Sequence, residues 1–488
     1  MNKFEPNPIM KTDSYKLSQY FQYPKGTKVV SSYIEPRGGV YSHVVNFGMQ
    51  RFINEYLTTV PTKDEVNQAA RLAKLHGVPF NYDGWMALSE LGYYPLEIES
   101  LPEGMIVPIK NCTAQIKNTH FDFAWLTSLV ETQLLRAVWY CSTVATMSAH
   151  IREMLGNYGK QCGVDDANIN FKHHNFGDRG ATSDESAMLA GVSHLTSFFG
   201  TDCLASLSAI EYYYNTDFNE TFIGGSIPAS EHSTITSWGR DNEKDAYINM
   251  IKNNPGDMFA CVSDSYNIWK ALEMWKELEP MILENGSTLV IRPDSGCPII
   301  TPQNVVKRCL ELFGYYEVKG DDGKMYKVLP DHIRVIQGDG VNTESIDAIC
   351  KGLLADGISI ENIAFGMGGE LVQKINRDTM KWAMKCSYIE GWDANNRRFK
   401  TDVYKDPIGT SHWDDEPSTH SFKRSKAGRL SVVNRNDKFV TVPTTECDWK
   451  EKDHLQLVFL DGKLYNESNF TQIRERIIKD RHLIKKVG

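Results

Sequence analysis

Short apolar runs alternate with helical spacing through the middle of the chain, and each run stops abruptly at small or polar residues. Buried strands that alternate with helices are typical of a parallel sheet. Because the polar residues collect where the strands end, the pattern predicts the active-site face of a (β/α) barrel, although a doubly wound open sheet would carry a site at the same edge. The clearest runs are 258–262, 288–291, 333–336 and 363–365.

The two ends of the chain follow a different pattern, in which strands and turns predominate. Residues 28–34 form an apolar run that predicts a strand. Near the C-terminus, residues 429–442 and 456–465 each consist of two apolar runs around a turn, which indicates two hairpins. An amphipathic helix is predicted over residues 470–484. We expect these ends to fold together as one β-rich domain.

The predicted fold is therefore an α/β fold: an irregular (β/α) barrel with an attached β-rich α+β domain built from the N- and C-terminal segments. The expected boundaries are 1–140 for the N-terminal part of the β-rich domain, 141–388 for the barrel-like catalytic domain and 389–488 for the C-terminal part. A length of 488 residues suits two or three domains, or one large barrel with an attached domain.

Composition narrows the functional classes. The formal net charge is -9, whereas nucleic-acid binders usually show a basic surplus, so we expect no nucleic-acid partner. The ten cysteines are scattered and no pair has CxxC spacing, which is typical of buried thiols in a reducing compartment. Residues 1–16 contain no apolar signal segment, and no run approaches the ~20 apolar residues that span a bilayer. We expect a cytoplasmic protein that binds no membrane.

The stretch Ile291–Gly296 (IRPDSG) follows one of the predicted strands. Arg292 suits a phosphate, because its planar fork donates two hydrogen bonds. Asp294 suits ribose hydroxyls, Mg²⁺ or the positive charge that develops at a sugar carbon. A structural salt bridge between the two side chains remains the alternative interpretation.

Two glycine-rich turns follow other predicted strands. Residues 366–369 (GMGG) would let backbone N–H groups approach a phosphate, but taken alone they favour a tight strand-to-helix turn. They match neither the Walker motif nor GxGxxG. Residues 337–340 (QGDG) expose Asp339 between two glycines, which suits ribose hydroxyls or a metal, and an Asx-turn is equally compatible.

His232 lies in the segment Ser230–Thr234, beside hydroxyls and a carboxylate. Such a histidine can be an acid, a base or a phosphate acceptor, although a single histidine is more often structural. A serine hydrolase would require a GxSxG elbow and a zinc peptidase HExxH, and neither is present. The basic segment 423–429 (KRSKAGR) indicates an anion site or a subunit contact, with a solvated surface as the alternative.

Together these stretches indicate an enzyme that acts on a sugar phosphate. They closely resemble the nicotinamide phosphoribosyltransferase family, and several motifs in the same order make the resemblance specific. It covers nearly the whole chain. The matching segments are Thr12–Lys16, Phe176–Gly180, Gly200–Asp202, Pro228–Trp238, Ser263–Tyr266, IRPDSG, RVIQGDGV at 334–341, ENIAFG at 361–366 and KRSKAGR.

The resemblance implies a type II phosphoribosyltransferase fold and a homodimer with active sites at the subunit interface. It implies a reaction in which nicotinamide and phosphoribosyl pyrophosphate give nicotinamide mononucleotide and pyrophosphate, with Mg²⁺. In this family the reaction is coupled to ATP hydrolysis through a phosphorylated histidine. The expected partners are therefore small-molecule substrates and a second copy of the chain.

The resemblance also implies roles for single positions. His232 matches the phosphorylated histidine, and Asp294 is the carboxylate expected to stabilise the sugar cation. Phe176 matches the ring that stacks on the pyridine, Tyr15 the stacking partner from the other subunit, and Asp202 the carboxylate that receives the amide nitrogen. The metal ligands stay unassigned. The other positions expected to contact substrates are Arg37, Arg179, Ser263, Arg292, Gly338, Asp339, Gly369, Arg377, Lys385 and Lys423.

Asp202 separates close relatives within this chemistry. An ionised carboxylate accepts a hydrogen bond from the amide of nicotinamide and repels the carboxylate of nicotinate. The residue therefore favours nicotinamide over nicotinate or quinolinate. The chain departs from the family pattern at four positions, which bear on the pyridine pocket and the phosphate turn: Asp178, Asn267, Met367 and Glu370.

Two other functions remain open at this point. The first is a nicotinate phosphoribosyltransferase on the same fold. The second is a non-catalytic nucleotide-binding protein that keeps the fold. The joint presence of His232, Arg292, Asp294 and Asp339 argues against the second, because a purely structural role would not require them together.

Overall fold

A computed structural model of the chain describes residues 6–406 and 424–487. The β-strands are β1 (Thr27–Pro36), β2 (His43–Val45), β3 (Leu96–Ser100), β4 (Ile106–Pro108), β5 (Ala114–Asn118), β6 (His173–Asn175), β7 (Gly200–Thr201), β8 (Met258–Val262), β9 (Thr288–Arg292), β10 (Tyr316–Lys319), β11 (Met325–Val328), β12 (Ile333–Gln337), β13 (Ile363–Met367), β14 (Trp382–Trp392), β15 (Arg398–Asp402), β16 (Leu430–Arg435), β17 (Lys438–Pro443), β18 (Gln456–Leu460) and β19 (Lys463–Leu464). The α-helices are α1 (Met49–Tyr56), α2 (Lys63–His76), α3 (Tyr82–Leu91), α4 (Leu126–Leu129), α5 (Glu131–Gln161), α6 (Asp166–Ile169), α7 (Asp184–Leu195), α8 (Leu204–Tyr214), α9 (His232–Thr236), α10 (Glu243–Lys252), α11 (Ile268–Asn285), α12 (Ile300–Phe313), α13 (Thr343–Ala355), α14 (Gly369–Val372) and α15 (Phe470–Asp480).

Six parallel strands form the centre of the barrel unit, the compact unit that comprises Met147–Glu211 and Asp217–Ile375. Their order is β7-β6-β13-β12-β9-β8. The segment between the two edge strands bridges both of them, because Gly225 pairs with Gly200 of β7 and Ala229 pairs with Ala260 of β8. The sheet thus forms an irregular barrel rather than an open sheet, which confirms the expected fold class.

The helix after β12 shows how the sequence builds each strand-helix unit. Asn342 caps α13, because its side chain accepts a hydrogen bond from the Ser345 N–H. Ile346, Ile349 and Leu353 follow at three- and four-residue spacing and are fully buried against the sheet side of the helix. Apolar periodicity and a capping residue therefore fix where this helix begins and which face it buries.

The β-rich unit comprises Met1–Thr146, Tyr212–Thr216 and Asn376–Gly488. Its main sheet has the strand order β15-β14-β1-β5-β3-β18-β19, so three strands from the N-terminal segment lie between two pairs of strands from the C-terminal segment. The two predicted hairpins are β16–β17 and β18–β19. The closing helix α15 ends at Asp480, four residues before the predicted end.

The boundaries of the two units lie near, but not at, the positions expected from the sequence. The barrel unit begins after residue 146, within α5, and ends at residue 375. The expected boundaries after residues 140 and 388 fall inside α5 and β14, respectively. A helix or strand that continues past the end of a unit keeps the same apolar pattern there. The pattern therefore does not mark the boundary.

Within the described residues, no helix is long and apolar enough to cross a membrane. All ten cysteines lie in this part of the chain and are free thiols, and seven of them are buried. These free, mostly buried thiols agree with the buried thiols that the scattered spacing of the cysteines predicted.

Candidate active site

The barrel unit encloses a cavity of about 400 Å³ that extends to the carboxyl ends of its strands. This volume lies in the range of small-molecule sites. Three predicted site residues line it together with mainly apolar neighbours. The lining includes Phe176, Asp202, Ser226, Ile227, Ala229, Ala260, Val290, Arg292, Ile336 and Ala364.

Phe176 forms an aromatic wall of this cavity. It directly follows β6, and its N–H donates to the carbonyl of Met367 at 3.0 Å. A Cβ at Gly366 would lie 2.0 Å from the Phe176 ring, so only glycine allows the backbone of β13 to approach the ring so closely. Gly338, which directly follows β12, also lies beside the ring, and a Cβ there would be 3.5 Å away. The two glycines therefore hold the ring in place at the strand ends.

Asp202 supplies a carboxylate to the same cavity. It follows β7, and its N–H donates to the carbonyl of Asn175 at 3.0 Å. The hydroxyl of Ser226 donates to Oδ1 of Asp202 at 2.7 Å. Ser226 lies in the segment that closes the barrel, so the closing segment orients this carboxylate.

His232 lies between two carboxylates at the mouth of the barrel. Its Nε2 is 3.0 Å from Oδ1 of Asp264, and its Nδ1 is 3.8 Å from Oδ2 of Asp294. A carboxylate only accepts hydrogen bonds, so the contact with Asp264 places a proton on Nε2 and leaves the lone pair of Nδ1 available. His232 is the first residue of α9 and is about half exposed. The ring can therefore act as a nucleophile or base through Nδ1.

Asp264 was missed by reasoning from single residues, although it belongs to the polar residues that follow β8. Its side chain is 4% exposed, and its Oδ2 accepts the N–H of Asp294 at 3.0 Å. Burial by itself would raise the pKa of this carboxyl, but hydrogen bonds from Ser295, from His232 and from the Asp294 N–H hold it below its usual value. Asp264 is thus an ionised anchor for both the histidine and the IRPDSG turn.

The ends of β9 and β12 bring further predicted residues to this mouth. Nε of Arg292 is 4.0 Å from Oδ1 of Asp294, at the limit of an ion pair. A Cβ at Gly338 would lie 3.6 Å from the same carboxylate oxygen. Asp339 is exposed, and the side chain of Gln337 donates to its carbonyl at 2.7 Å. The ion pair between Arg292 and Asp294 is therefore present at its distance limit, and Gly338 lies at the same rim.

Arg179 and the glycine turn after β13 lie side by side. Arg179 is exposed in a short turn at Asp178–Gly180, and a Cβ at Gly180 would lie 3.6 Å from the backbone of Gly369. The helix that follows this turn, α14, is a single turn of Gly369–Val372. The backbone of the Arg179 turn therefore lies close to that of Gly369, while β13 extends to Met367, two residues beyond its predicted run.

Ser263 does not face the cavity. It is fully buried, its hydroxyl donates to the carbonyl of Cys261 at 3.0 Å, and Trp275 donates to it at 3.0 Å. Its N–H donates to the carbonyl of Arg292 at 3.0 Å. The residue ties β8 to β9 behind the rim and presents no exposed polar atom.

The β-rich unit gathers three predicted cations near one another. Burial lowers the pKa of Lys385, while the negative charge of Glu131 opposes this. The positive charges of Arg37, Lys16 and Arg377 lower it further. A half-buried lysine whose neighbours are mostly cations is suited to an anionic ligand. We call the four positively charged residues Lys16, Arg37, Arg377 and Lys385 the cation cluster.

Tyr15, the predicted stacking residue, also belongs to the β-rich unit. Its side chain is 60% exposed, with Nζ of Lys16 5.5 Å from the ring centroid. Lys16 in turn pairs with Glu131 at 2.6 Å. Lys423 lies outside the described residues, so its predicted contact is not placed.

The four positions at which the chain departs from the family pattern each make different local contacts. Asn267 caps α11, accepting the N–H groups of Trp269 and Lys270, as an aspartate could. Met367 is fully buried in β13. Glu370 pairs with its helical neighbour Lys374 at 2.6 Å, and Asp178 is exposed beside Arg179. The residues of these four positions are Asp178, Asn267, Met367 and Glu370.

Sequence comparisons connect this geometry to known proteins. The sequence model of the nicotinate phosphoribosyltransferase (NAPRTase) family matches residues 171–424, which is more than half of the chain. The model of the nicotinamide phosphoribosyltransferase N-terminal domain matches residues 7–98. The nicotinamide phosphoribosyltransferase of Xanthomonas campestris pv. campestris is 40% identical over 96% of this chain and 97% of its own.

The chain belongs to the nicotinamide phosphoribosyltransferase family. The enzyme of that name from Acinetobacter baylyi is 30% identical over 97% of both chains. Among solved structures, the nicotinate-nucleotide pyrophosphorylase of Pyrococcus furiosus aligns with a TM-score of 0.61 at 14% identity over 99% of both chains. Human nicotinic acid phosphoribosyltransferase aligns with a TM-score of 0.54 at 14% identity, over 98% of this chain and 96% of its own. These structures share the fold of this nicotinamide phosphoribosyltransferase family member.

Proposed function

We propose that the protein is a pentosyltransferase that converts nicotinamide and phosphoribosyl pyrophosphate to nicotinamide mononucleotide and pyrophosphate in NAD salvage. The observation that carries this proposal is the cavity in which Phe176 forms an aromatic wall and Ser226 holds Asp202 at the strand ends. A flat pyridine ring fits against the wall, and its amide N–H₂ meets a carboxylate. The names of the full-length relatives support the same reaction.

Asp202 chooses the base in this proposal. Its Oδ1 already accepts a hydrogen bond from Ser226 at 2.7 Å, which keeps the carboxylate oriented. The amide of nicotinamide donates to such a group, whereas the carboxylate of nicotinate has no proton to donate and is repelled. Nicotinamide is therefore the preferred base.

The bond changes take place beside Asp294. The pyridine nitrogen forms a bond to C1 of the ribose while the bond from C1 to the pyrophosphate oxygen breaks, and the electron pair leaves with pyrophosphate. The ribose carries positive charge in between, which the carboxylate of Asp294 stabilises. Arg292, on the same rim, donates to the departing phosphates.

Mg²⁺ fits the donors at this rim. Mg²⁺ is usually held by one or two carboxylates together with substrate phosphates rather than by a cage of protein ligands. The described residues contain no preformed group of three or more metal-binding side chains. Asp294 and Asp339, which follow β9 and β12, are accessible carboxylates and would hold the ion with the pyrophosphate. When bound, Mg²⁺ neutralises charge on the leaving pyrophosphate.

His232 couples the reaction to ATP in this proposal. Asp264 keeps Nε2 protonated, so Nδ1 attacks the terminal phosphorus of ATP. The nitrogen-phosphorus bond forms as the bond from that phosphorus to the ADP oxygen breaks, and water later cleaves the phosphohistidine to phosphate. While it is present, the phosphate adds negative charge beside Asp294, which draws Mg²⁺ and the substrate into the site.

The cation cluster supports a homodimer with shared active sites. Tyr15 is exposed on the β-rich unit, which also carries the cation cluster. In the proposed dimer, Tyr15, Arg377 and Lys385 of one copy serve the barrel of the other, with Tyr15 stacking on the second face of the pyridine. The ten free thiols favour a cytoplasmic enzyme.

The reaction is tested with the purified protein, phosphoribosyl pyrophosphate, Mg²⁺ and nicotinamide, with and without ATP. We expect nicotinamide mononucleotide and pyrophosphate in equal amounts, and faster formation with ATP. The matched control is Lys452→Asn, which removes one charge from a loop of the β-rich unit and should react like the wild type. A wild-type protein that forms no mononucleotide from either pyridine base would contradict the proposal.

A further inference from the structure

The β-rich unit contains a second cavity, of about 500 Å³, at the end of β1. Four cationic side chains and one carboxylate line it, in a chain whose net charge is -9. The charged lining residues are Glu35, Arg37, Lys110, Arg424 and Lys426. Such a local excess of positive charge in an acidic protein favours a multiply charged anion.

Glu35 organises this cavity rather than neutralising it. Its side chain is 4% exposed, and it pairs with Lys426 on one side and with Nε of Arg37 at 3.5 Å on the other. The guanidinium of Arg37 also donates to the carbonyl of Arg424 at 3.3 Å. One buried carboxylate thus fixes two cations next to each other, and a net positive charge remains.

Lys110 is unusual for its backbone. Eight non-glycine residues in the described part of the chain have positive φ, and six of them are asparagine or aspartate, the types that tolerate this conformation. The other two are Lys110, with φ 69°, and Lys381, with φ 50°. A lysine gains nothing locally from the left-handed region, so another requirement keeps it there.

The surroundings of Lys110 enforce its conformation. Its N–H donates to the carbonyl of Pro36 at 2.6 Å, at the end of β1. The next residue, Asn111, is 5% exposed, donates to the carbonyls of Pro108 and Phe439, and accepts from the Thr441 hydroxyl at 2.9 Å. The turn is therefore locked on both sides of Lys110. Glycine or asparagine would meet the same geometry with less strain.

The side chain of Lys110 is exposed at the cavity and pairs with no carboxylate of the described residues. Arg37 lines the same cavity, and its N–H donates to the carbonyl of the other left-handed lysine, Lys381, at 3.3 Å. A strained backbone that presents an unpaired ammonium beside an anchored guanidinium is suited to adjacent phosphate groups.

We propose that Lys110 binds a condensed phosphate chain together with Arg37, and that its left-handed backbone exists to present it. The ligand chemistry is two or three linked phosphates, as in phosphoribosyl pyrophosphate, its pyrophosphate product or the triphosphate of ATP. The inference rests on the proposed function, because it adds a phosphate-binding residue that the family resemblance did not assign.

The test is calorimetric titration of the full-length protein with inorganic pyrophosphate and, separately, tripolyphosphate, for wild type and Lys110→Asn. Loss of one ammonium should weaken pyrophosphate binding about five- to ten-fold at 0.1 M salt, and less at higher salt. Asparagine tolerates positive φ, so the melting temperature should stay the same or rise by about 1 °C. A loss confined to tripolyphosphate would assign the residue to the triphosphate of ATP and would support the same chemistry.

Two further variants keep the proposal open to contradiction. Lys110→Arg retains the charge and should bind within about two-fold of wild type. Lys452→Asn removes a charge from the same unit outside the cavity and should change nothing. Unchanged pyrophosphate and tripolyphosphate affinity in Lys110→Asn, or an equal loss in Lys452→Asn, would overturn the inference. If the wild type forms mononucleotide and Lys110→Asn binds both phosphate chains normally, only this inference is contradicted. If the wild type shows no turnover, the proposed function is contradicted instead.

Discussion

The barrel unit carries mainly carboxylates at the ends of its strands, whereas the cation cluster of the β-rich unit gathers positive charges around Lys385 within β14. At the barrel mouth the polar groups are mainly carboxylates, and Asp264 anchors both His232 and the Asp294 turn. In the cation cluster, burial lowers the pKa of Lys385, the negative charge of Glu131 opposes this, and the positive charges of Arg37, Lys16 and Arg377 lower it further. The first region fixes its carboxylates through hydrogen bonds, and the second gathers several cations around one half-buried lysine, Lys385.

This difference matches what the two regions would do. Carboxylates that stabilise a sugar cation must not be consumed by permanent ion pairs, and cations that bind phosphates must not be neutralised either. Because most of the carboxylates lie on one unit and most of the cations on the other, the two groups do not pair permanently with each other. Arg292 is the partial exception, and its 4.0 Å distance to Asp294 leaves the pair weak. The predictions below test this division from the largest expected effect to the smallest.

Replacing Asp294 by asparagine should have the largest effect. Asp294→Asn keeps the shape of the side chain and removes the charge that faces the ribose, so kcat/KM should fall by about 10³. Initial rates and a thermal melt are the measurements, and the melt should match wild type. An activity loss below about ten-fold would mean that the barrel mouth doesn't carry the chemistry.

Replacing Asp202 by asparagine should change the choice of base. Asp202→Asn removes the charge that repels nicotinate, so the ratio of kcat/KM for nicotinamide to that for nicotinate should fall by about 10- to 100-fold. Steady-state kinetics with both bases measures this ratio. Ser226→Ala, which removes only the orienting hydroxyl, should lower it less. An unchanged ratio in Asp202→Asn would show that this carboxylate does not select the base.

Removing two members of the cation cluster tests the division of charge directly. A double change of Arg377→Met and Lys385→Met should raise KM for phosphoribosyl pyrophosphate by about ten-fold or more, with a smaller change in kcat. If a homodimer shares its sites, mixing this variant with Asp294→Asn should give about a quarter of wild-type activity at phosphoribosyl pyrophosphate concentrations well below the wild-type KM, because half of the dimers regain one intact site. Mixtures no more active than the average of the two separate variants would argue against shared sites.

The His232 network should control the response to ATP. His232→Gln should abolish the stimulation by ATP and the incorporation of labelled phosphate. Asp264→Asn, which leaves the ring but removes its anchor, should slow phosphate incorporation about ten-fold, by analogy with the loss of an orienting carboxylate. Labelling with γ-phosphate-labelled ATP is the readout. Normal labelling in His232→Gln would place the acceptor elsewhere.

The smallest effect should be a pH dependence set by Lys385. Its pKa is lowered, so the folded protein releases this proton at a lower pH than the unfolded chain does. As pH rises through that lowered pKa, affinity for phosphoribosyl pyrophosphate should fall, while stability should rise slightly because the unfolded state binds more protons. Lys385→Arg should move the alkaline rise in KM to higher pH. Identical profiles for both proteins would assign that limb to another group.

The sequence predicted the strand ends well, because each apolar run of the barrel ends in polar residues that parallel pairing brings to one rim. It did not predict the contact between His232 and Asp264, because 32 residues separate them and neither carries a spacing signal. The closing segment 225–229 was also invisible, since its small residues and proline lack a strand pattern. Such contacts depend on tertiary packing.

The β-rich unit shows the same limit. The sequence predicted an anion site or a subunit contact at the basic segment 423–429, and the resemblance implied a substrate contact for Arg37. The strain at Lys110 was not predicted, because a left-handed lysine has no signature in the sequence. The buried Ser263 illustrates the reverse case. Its motif matched the family, yet its hydroxyl contacts Cys261 and Trp275 instead of the cavity.

One competition experiment tests the central claim most directly. The purified protein is given phosphoribosyl pyrophosphate, Mg²⁺ and equal concentrations of nicotinamide and nicotinate, and the two mononucleotides are separated by charge. Because Asp202 accepts from an amide and repels a carboxylate, nicotinamide mononucleotide should exceed the acidic product by about 100-fold. Equal amounts of both products, or an excess of nicotinate mononucleotide, would contradict the account.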